Sequence, residues 1–136
     1  MSTPSPLIAT SYVALGGAVG AALRYQLGRG MTVWLGPQAV TAFPWATITA
    51  NVLGSFAMGL LAGWLARGGV SHAESWRLLV GVGLLGGFTT FSAFSLELML
   101  LIERGQAALA LTYGGVSVLA ALAGLYCGLI AIRLAT

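Results

Sequence analysis

Charged residues are sparse along this chain, and the gaps between them are long. No charged side chain interrupts Met1 to Leu23, Gly30 to Ala66, Leu78 to Leu96 or Gly105 to Ile132. A helix needs roughly 20 predominantly apolar residues to cross a hydrocarbon core about 30 Å thick, and each gap is close to that length or beyond it. Trimming the polar and proline-containing ends predicts membrane helices near residues 9–28, 45–66, 78–101 and 108–132. The expected fold is an all-α membrane protein, with four transmembrane helices in a single domain over residues 1–136. The first span has no basic residue ahead of its apolar stretch and runs through glycines into Arg24. It is therefore expected to be a membrane helix and not a signal peptide.

Composition points the same way. Only 7% of the residues are charged and 58% are hydrophobic, whereas a soluble domain carries about a quarter charged residues. The net charge is +3, but the six basic residues, all arginine, are scattered with no cluster. Nucleic acid is thus not an expected partner, and a lipid membrane is. The single cysteine, Cys127, lies deep in the fourth span and offers neither a disulfide nor a zinc site within one chain.

Basic residues bias short loops toward the cytoplasm, so the arginines should report orientation. The termini and middle loop carry Arg67, Arg77 and Arg133, and the opposite side carries Arg24, Arg29 and Arg104, three against three. A balanced count predicts insertion in both orientations and an antiparallel homodimer. Four helices are also few to enclose a pathway. The alternative is that Arg24 lies within the membrane and the bias is simply weak.

The spans are not uniformly apolar. Gly16, Gly20, Arg24 and Gly28 recur every four residues on the first, a small-residue stripe suited to close helix packing. Arg24 either snorkels to the interface or faces an aqueous cavity where it would attract anions. In the second span, Asn51, Gly54, Ser55, Met58, Gly59 and Ala62 share a face. The Asn51 amide brings uncharged N–H donors that could serve an anion or a neighbouring helix. Tyr113 and Ser117 stand one turn apart on the fourth span, where hydroxyls either line a wet track or bond their own preceding carbonyls. The third span contains "GLLGGFTTFSAFS", Gly83 to Ser95, and its glycine pair and threonines predict a break between about Gly86 and Thr90.

Catalysis finds little support. The only histidine, His72, lies in the middle loop beside Glu74, Glu97 and Glu103 do not share a helix face, and no nucleophile set, metal-ligand cluster or phosphate loop is present. An enzyme is not expected, which leaves transport or a structural membrane subunit. A dual-topology, proton-coupled small-molecule or drug exporter would bury a carboxylate in its chamber, and Glu97 is the one candidate.

Three segments, "GGAVGAALRY", "TITANVLGSFAMG" and "GLLGGFTTFSAF", occur in an order and spacing that closely resembles the small bacterial fluoride channels of the CrcB/Fluc type. The resemblance covers nearly the whole chain. It implies a multi-pass protein of the bacterial inner membrane that lets fluoride leave the cytoplasm passively, relieving its toxicity. It further implies an antiparallel homodimer with two pores and a structural, non-transported Na+ at the dimer centre. By the same resemblance Gly86 and Thr89 hold the sodium. The resemblance also implies an anion pathway through Asn51, Phe91, Phe94, Tyr113 and Ser117, and Ser92 and Arg24 are expected beside it. The chain departs from the family pattern at Ala93, where threonine is common, and at Ala121, where a further track serine is expected.

Overall fold

The computed structural model describes residues 4–135. Among them every regular element is helical. They are α1 (Pro6–Leu35), α2 (Pro37–Ala42), α3 (Trp45–Leu65), α4 (Ala73–Trp76), a π-helical segment (Arg77–Leu85), α5 (Gly86–Phe88), α6 (Phe91–Glu103) and α7 (Ala107–Leu134). Four helical stretches are long and apolar enough to cross a membrane: Pro6–Leu35, Trp45–Leu65, Ala73–Glu103 and Ala107–Leu134.

Local sequence explains where these elements start and stop. Pro6 and Pro37 stand in the first turns of α1 and α2, where the missing N–H would lack a partner anyway. At the end of α6, Gly105 takes φ 74, and its N–H bonds Ile102 O at 2.9 Å while the Gln106 N–H bonds Leu101 O at 2.9 Å. That crossed pair is the Schellman motif, which needs a residue at ease with positive φ. The first span overruns its predicted end near residue 28, since α1 continues through Arg29 to Leu35. At 1.5 Å per residue its length is about 45 Å, half again the hydrocarbon core. Its last turns, with Val33 and Trp34 highly exposed, therefore stand beyond the membrane core or force the helix to tilt.

Two helix pairs carry the packing: α3 against α7, and α1 against the π-helical segment and α5. Both rest on glycines. A Cβ on Gly59 would collide with the Leu125 carbonyl, and one on Gly128 with the Phe56 carbonyl. On the other pair, Gly16 and Gly20 leave room for the carbonyls of Leu79 and Leu84, and a Cβ on Gly87 would lie 2.6 Å from Gly17 O. Backbones this close gain dispersion and Cα–H···O contacts, the forces that remain once lipid replaces water as the solvent. Gly28, at the end of the stripe, has open space around it.

The third span is irregular where the sequence concentrates its glycines. Over Arg77–Leu85 the helix widens to π geometry, and the Gly86 N–H reaches back to Gly81 O. Gly86 and Gly87 remain helical; the extended residues are Thr89 (φ −84, ψ 162) and Thr90 (φ −155, ψ 127). The glycines serve close packing against α1, and the departure from helix falls on the threonines that follow. Thr90 then caps α6, its Oγ1 accepting the Ala93 N–H at 3.2 Å.

Few large apolar side chains are buried within one chain, and Leu7, Leu15, Leu111, Leu119 and Leu122 are among the many exposed. That distribution suits a protein whose surroundings are hydrocarbon.

Candidate functional site

A cleft of about 260 Å³ opens beside the extended threonines, lined by Asn51 and Ser55 of α3, Thr89, Thr90, Phe91 and Phe94, and Ser117, Val118 and Ala121 of α7. Gly54 positions one wall, because only a residue without Cβ lets the Thr89 methyl sit against α3. Asn51 holds the next. Its Oδ1 accepts the Thr90 N–H at 2.8 Å and its Nδ2 donates to Thr90 O at 3.0 Å. The extended residue thus finds on an asparagine the two partners that a helix would have supplied. An asparagine amide has two N–H donors, so one remains after Thr90 O is satisfied.

Ser117 is the most exposing observation in the cleft. The residue is only 4% exposed, and its Oγ has no hydrogen-bond partner. Elsewhere on the spans, Thr10, Ser11, Thr32, Thr89, Ser95 and Thr112 all return their hydroxyls to the carbonyl four residues back. A buried hydroxyl left unpaired costs roughly 1–3 kcal/mol. Such a cost is retained where a ligand or water supplies the partner.

The two phenylalanines lie at a centroid separation of 5.6 Å, and Phe94 continues into Tyr113 at 5.2 Å and on to Phe43, which meets Tyr113 edge-on at 5.5 Å. Phe91 is 78% exposed although it borders the cleft and its ring pairs with Phe94. Tyr113 is fully buried and donates its hydroxyl proton to Glu97 Oε2 at 2.8 Å, while Thr47 donates to Glu97 Oε1 at 2.7 Å. One carboxylate therefore ties α3, α6 and α7 together.

The structure gathers Asn51, Thr89, Phe91, Phe94 and Ser117 around one cleft and leaves the other expected residues apart from it. Arg24 lines a separate cleft of about 420 Å³ with Arg29, Trp45 and Glu97. Tyr113 lies between the two clefts with its proton committed to Glu97. Ser92 is exposed, with Oγ 3.3 Å from Thr90 Oγ1. Gly86 is exposed and helical, and the N–H that would close on its carbonyl, that of Thr90, is turned to Asn51. Among the described residues no group of three or more His, Cys, Asp or Glu side chains could hold a metal, so a cation here would depend on backbone oxygen. Sequence reasoning missed Thr47 and the Thr90 backbone. The signal for Thr47 was its position four residues before Asn51 on the same helix face.

The family model described as "CrcB-like protein, Camphor Resistance (CrcB)" matches residues 11–129. The chain belongs to the CrcB family. A relative from Erythrobacter litoralis named "Fluoride-specific ion channel FluC" is 57% identical over 134 residues, covering 98% of each chain. Relatives of the same name from Novosphingobium aromaticivorans and Caulobacter vibrioides are 55% and 50% identical, covering 93% and 89% of this chain and 98% and 92% of their own. The resemblance read from the three motifs is therefore borne out. With bacterial CrcB relatives at this level and four membrane-length apolar helices, the protein is a multi-pass bacterial membrane protein.

Proposed function

We propose that this CrcB protein is a fluoride channel, not an enzyme, passing fluoride down its gradient through paths lined by the Asn51, Phe91, Phe94 and Ser117 cleft. The observation that carries the reading is the buried, unpartnered Ser117 hydroxyl, which shares that cleft with a spare Asn51 N–H and two aromatic rings. Fluoride is small and tightly hydrated, so a path must replace its water with several donors. Hydroxyl, amide and the positive rims of phenyl rings do so without a fixed charge. Neutral donors bind weakly enough to let the ion leave, as conduction requires. Homologous proteins named as fluoride-specific channels supply the ion's identity. Tyr113 contributes through Glu97, and Ala121 leaves the cleft short of one hydroxyl.

The functional unit in this reading is an antiparallel homodimer of single four-helix domains inserted in both orientations. The 78% exposure of the Phe91 ring supports a second copy, since a ring that lines an ion path needs a facing wall. The third span is interrupted at Thr89 and Thr90 to hold a structural Na+ on the dimer axis through the carbonyls of Gly86 and Thr89. The diversion of the Thr90 N–H to Asn51 frees the Gly86 carbonyl and supports this assignment. Two such oxygens from each of two chains would form an all-oxygen set suited to a hard cation.

A second reading, a proton-coupled exporter, draws on Glu97, a part-buried carboxylate held by two hydroxyls. Fluoride and chloride release from potassium-loaded liposomes of purified protein, in sodium-containing buffer with valinomycin carrying the counter-ion and followed with ion-selective electrodes, tests the channel reading. Fast fluoride release without chloride release is expected. Equal release of both ions would refute it.

A further inference from the structure

The Asn51 clamp has a counterpart on the far side of the extended pair, where α6 begins at membrane depth. The first N–H groups of a helix have no partner within it. In α6 the Ala93 N–H is satisfied by the Thr90 side chain. No backbone turn closes across Thr89 and Thr90, so the N–H groups of Phe91 and Ser92 have no carbonyl behind them. Both N–H vectors run back along the axis toward Thr89 and Thr90, which with Phe91 line the cleft. The second, independent sign of a ligand is Ser117 Oγ, buried, unpartnered and lining the same cleft from α7.

Resting on the channel reading above, we propose that the backbone N–H groups of Phe91 and Ser92 are further donors to the anion. On this account the start of α6 is a half-helix anion site completed by Ser117. A helix N-terminus carries about half a positive charge spread over its free N–H groups, and interrupted membrane helices aim such ends at anionic groups. Donors fixed to backbone hold their spacing, so they discriminate by the size of the anion. The same two extended residues then serve both signs of charge. In the reading above the carbonyls of Gly86 and Thr89 serve a cation, and here the N–H groups of Phe91 and Ser92 serve an anion. Neither function uses a charged side chain, which explains how a path through this part of the membrane can attract an anion with no arginine beside it.

The test removes the Phe91 N–H and keeps every side chain; because the Thr90 carbonyl that accepts Asn51 Nδ2 becomes a weaker ester acceptor, the amide titration below is read beside the flux. Phenyllactic acid in place of Phe91 keeps the ring and replaces the amide by an ester, and lactic acid in place of Ala108, a first-turn residue of α7, serves as the matched control. Fluoride flux from liposomes should fall about ten- to a hundredfold in the Phe91 ester, the worth of one hydrogen bond to an ion, and stay near the parent rate in the control. In protein labelled with 15N-phenylalanine, the Phe91 amide proton should move downfield on titration with sodium fluoride and not with sodium chloride. An ester variant that assembles and conducts at the parent rate, or a Phe91 amide unmoved by fluoride, overturns the proposal. Should the ester variant fail to assemble, the amide titration of the unaltered protein decides. Parent protein that carries no fluoride refutes the channel reading instead, and the titration still reports whether this helix end binds the ion.

Discussion

Replacing Asn51 by alanine removes both partners of an extended residue in the middle of a membrane helix. The lost bonds are the 2.8 Å contact from the Thr90 N–H and the 3.0 Å contact to Thr90 O. Each backbone group left unpaired costs roughly 1–3 kcal/mol, so the pair is worth about 2–6 kcal/mol. Thr90 is only partly buried and borders an open cleft, so water recovers some of this, and a loss in the lower half of that range is expected. Asn51→Asp separates the two roles. It keeps an acceptor for the Thr90 N–H but donates nothing to Thr90 O, so its stability should fall about half as far. Fluoride flux should nonetheless be lost at neutral pH, because an ionised carboxylate in the cleft repels an anion. The assay is unfolding of purified protein in detergent, alongside fluoride release from liposomes. Asn51→Ala protein as stable as the parent would refute the clamp, whatever its flux.

Gly128→Ala should destabilise the protein by about 1–3 kcal/mol, because its methyl meets the Phe56 carbonyl across the α3–α7 contact. Gly30→Ala has open space and should be neutral or stabilising by up to about 1 kcal/mol; equal losses in the two would contradict the packing account. Phe94→Leu should slow fluoride release while preserving assembly, since only an aromatic ring has a positive rim, and an unchanged rate would exclude edge-on coordination. Rigorously sodium-free buffer lacking any substitute cation should weaken the dimer and stop flux; full activity there would defeat the sodium assignment. A reporter fused to the C-terminus should appear on both sides of the membrane in comparable amounts, and a single orientation would contradict the balanced arginine count.

The spans were legible because lipid imposes a length and a polarity that a sequence displays directly. Charge-free runs located all four helices, and the close contacts at Gly16, Gly20 and Gly59 use glycines whose spacing was visible beforehand. What periodicity could not show was the partner of each polar group. Asn51 was read as a donor facing an ion or a helix, and its amide is engaged with the backbone of Thr90, 39 residues away. The spacing of Tyr113 with Ser117 suits a wet track or a bond to a preceding carbonyl, and neither names Glu97, to which the Tyr113 hydroxyl gives its proton. The widening of Arg77–Leu85 to π geometry also left no mark, since the glycines that accommodate it would suit an α-helix packed equally closely. Ser117 was weighed against bonding its own preceding carbonyl, the fate of most hydroxyls here, and only the three-dimensional structure distinguishes it.

The most direct test of the central claim is the reversal potential of the purified protein in a planar bilayer, with a tenfold fluoride gradient, symmetric chloride and a pH difference across the membrane. A passive fluoride path predicts reversal at the fluoride equilibrium potential, about 59 mV for a univalent ion at that gradient, independent of the pH difference. Reversal near zero, or a potential that follows the proton gradient, would contradict it.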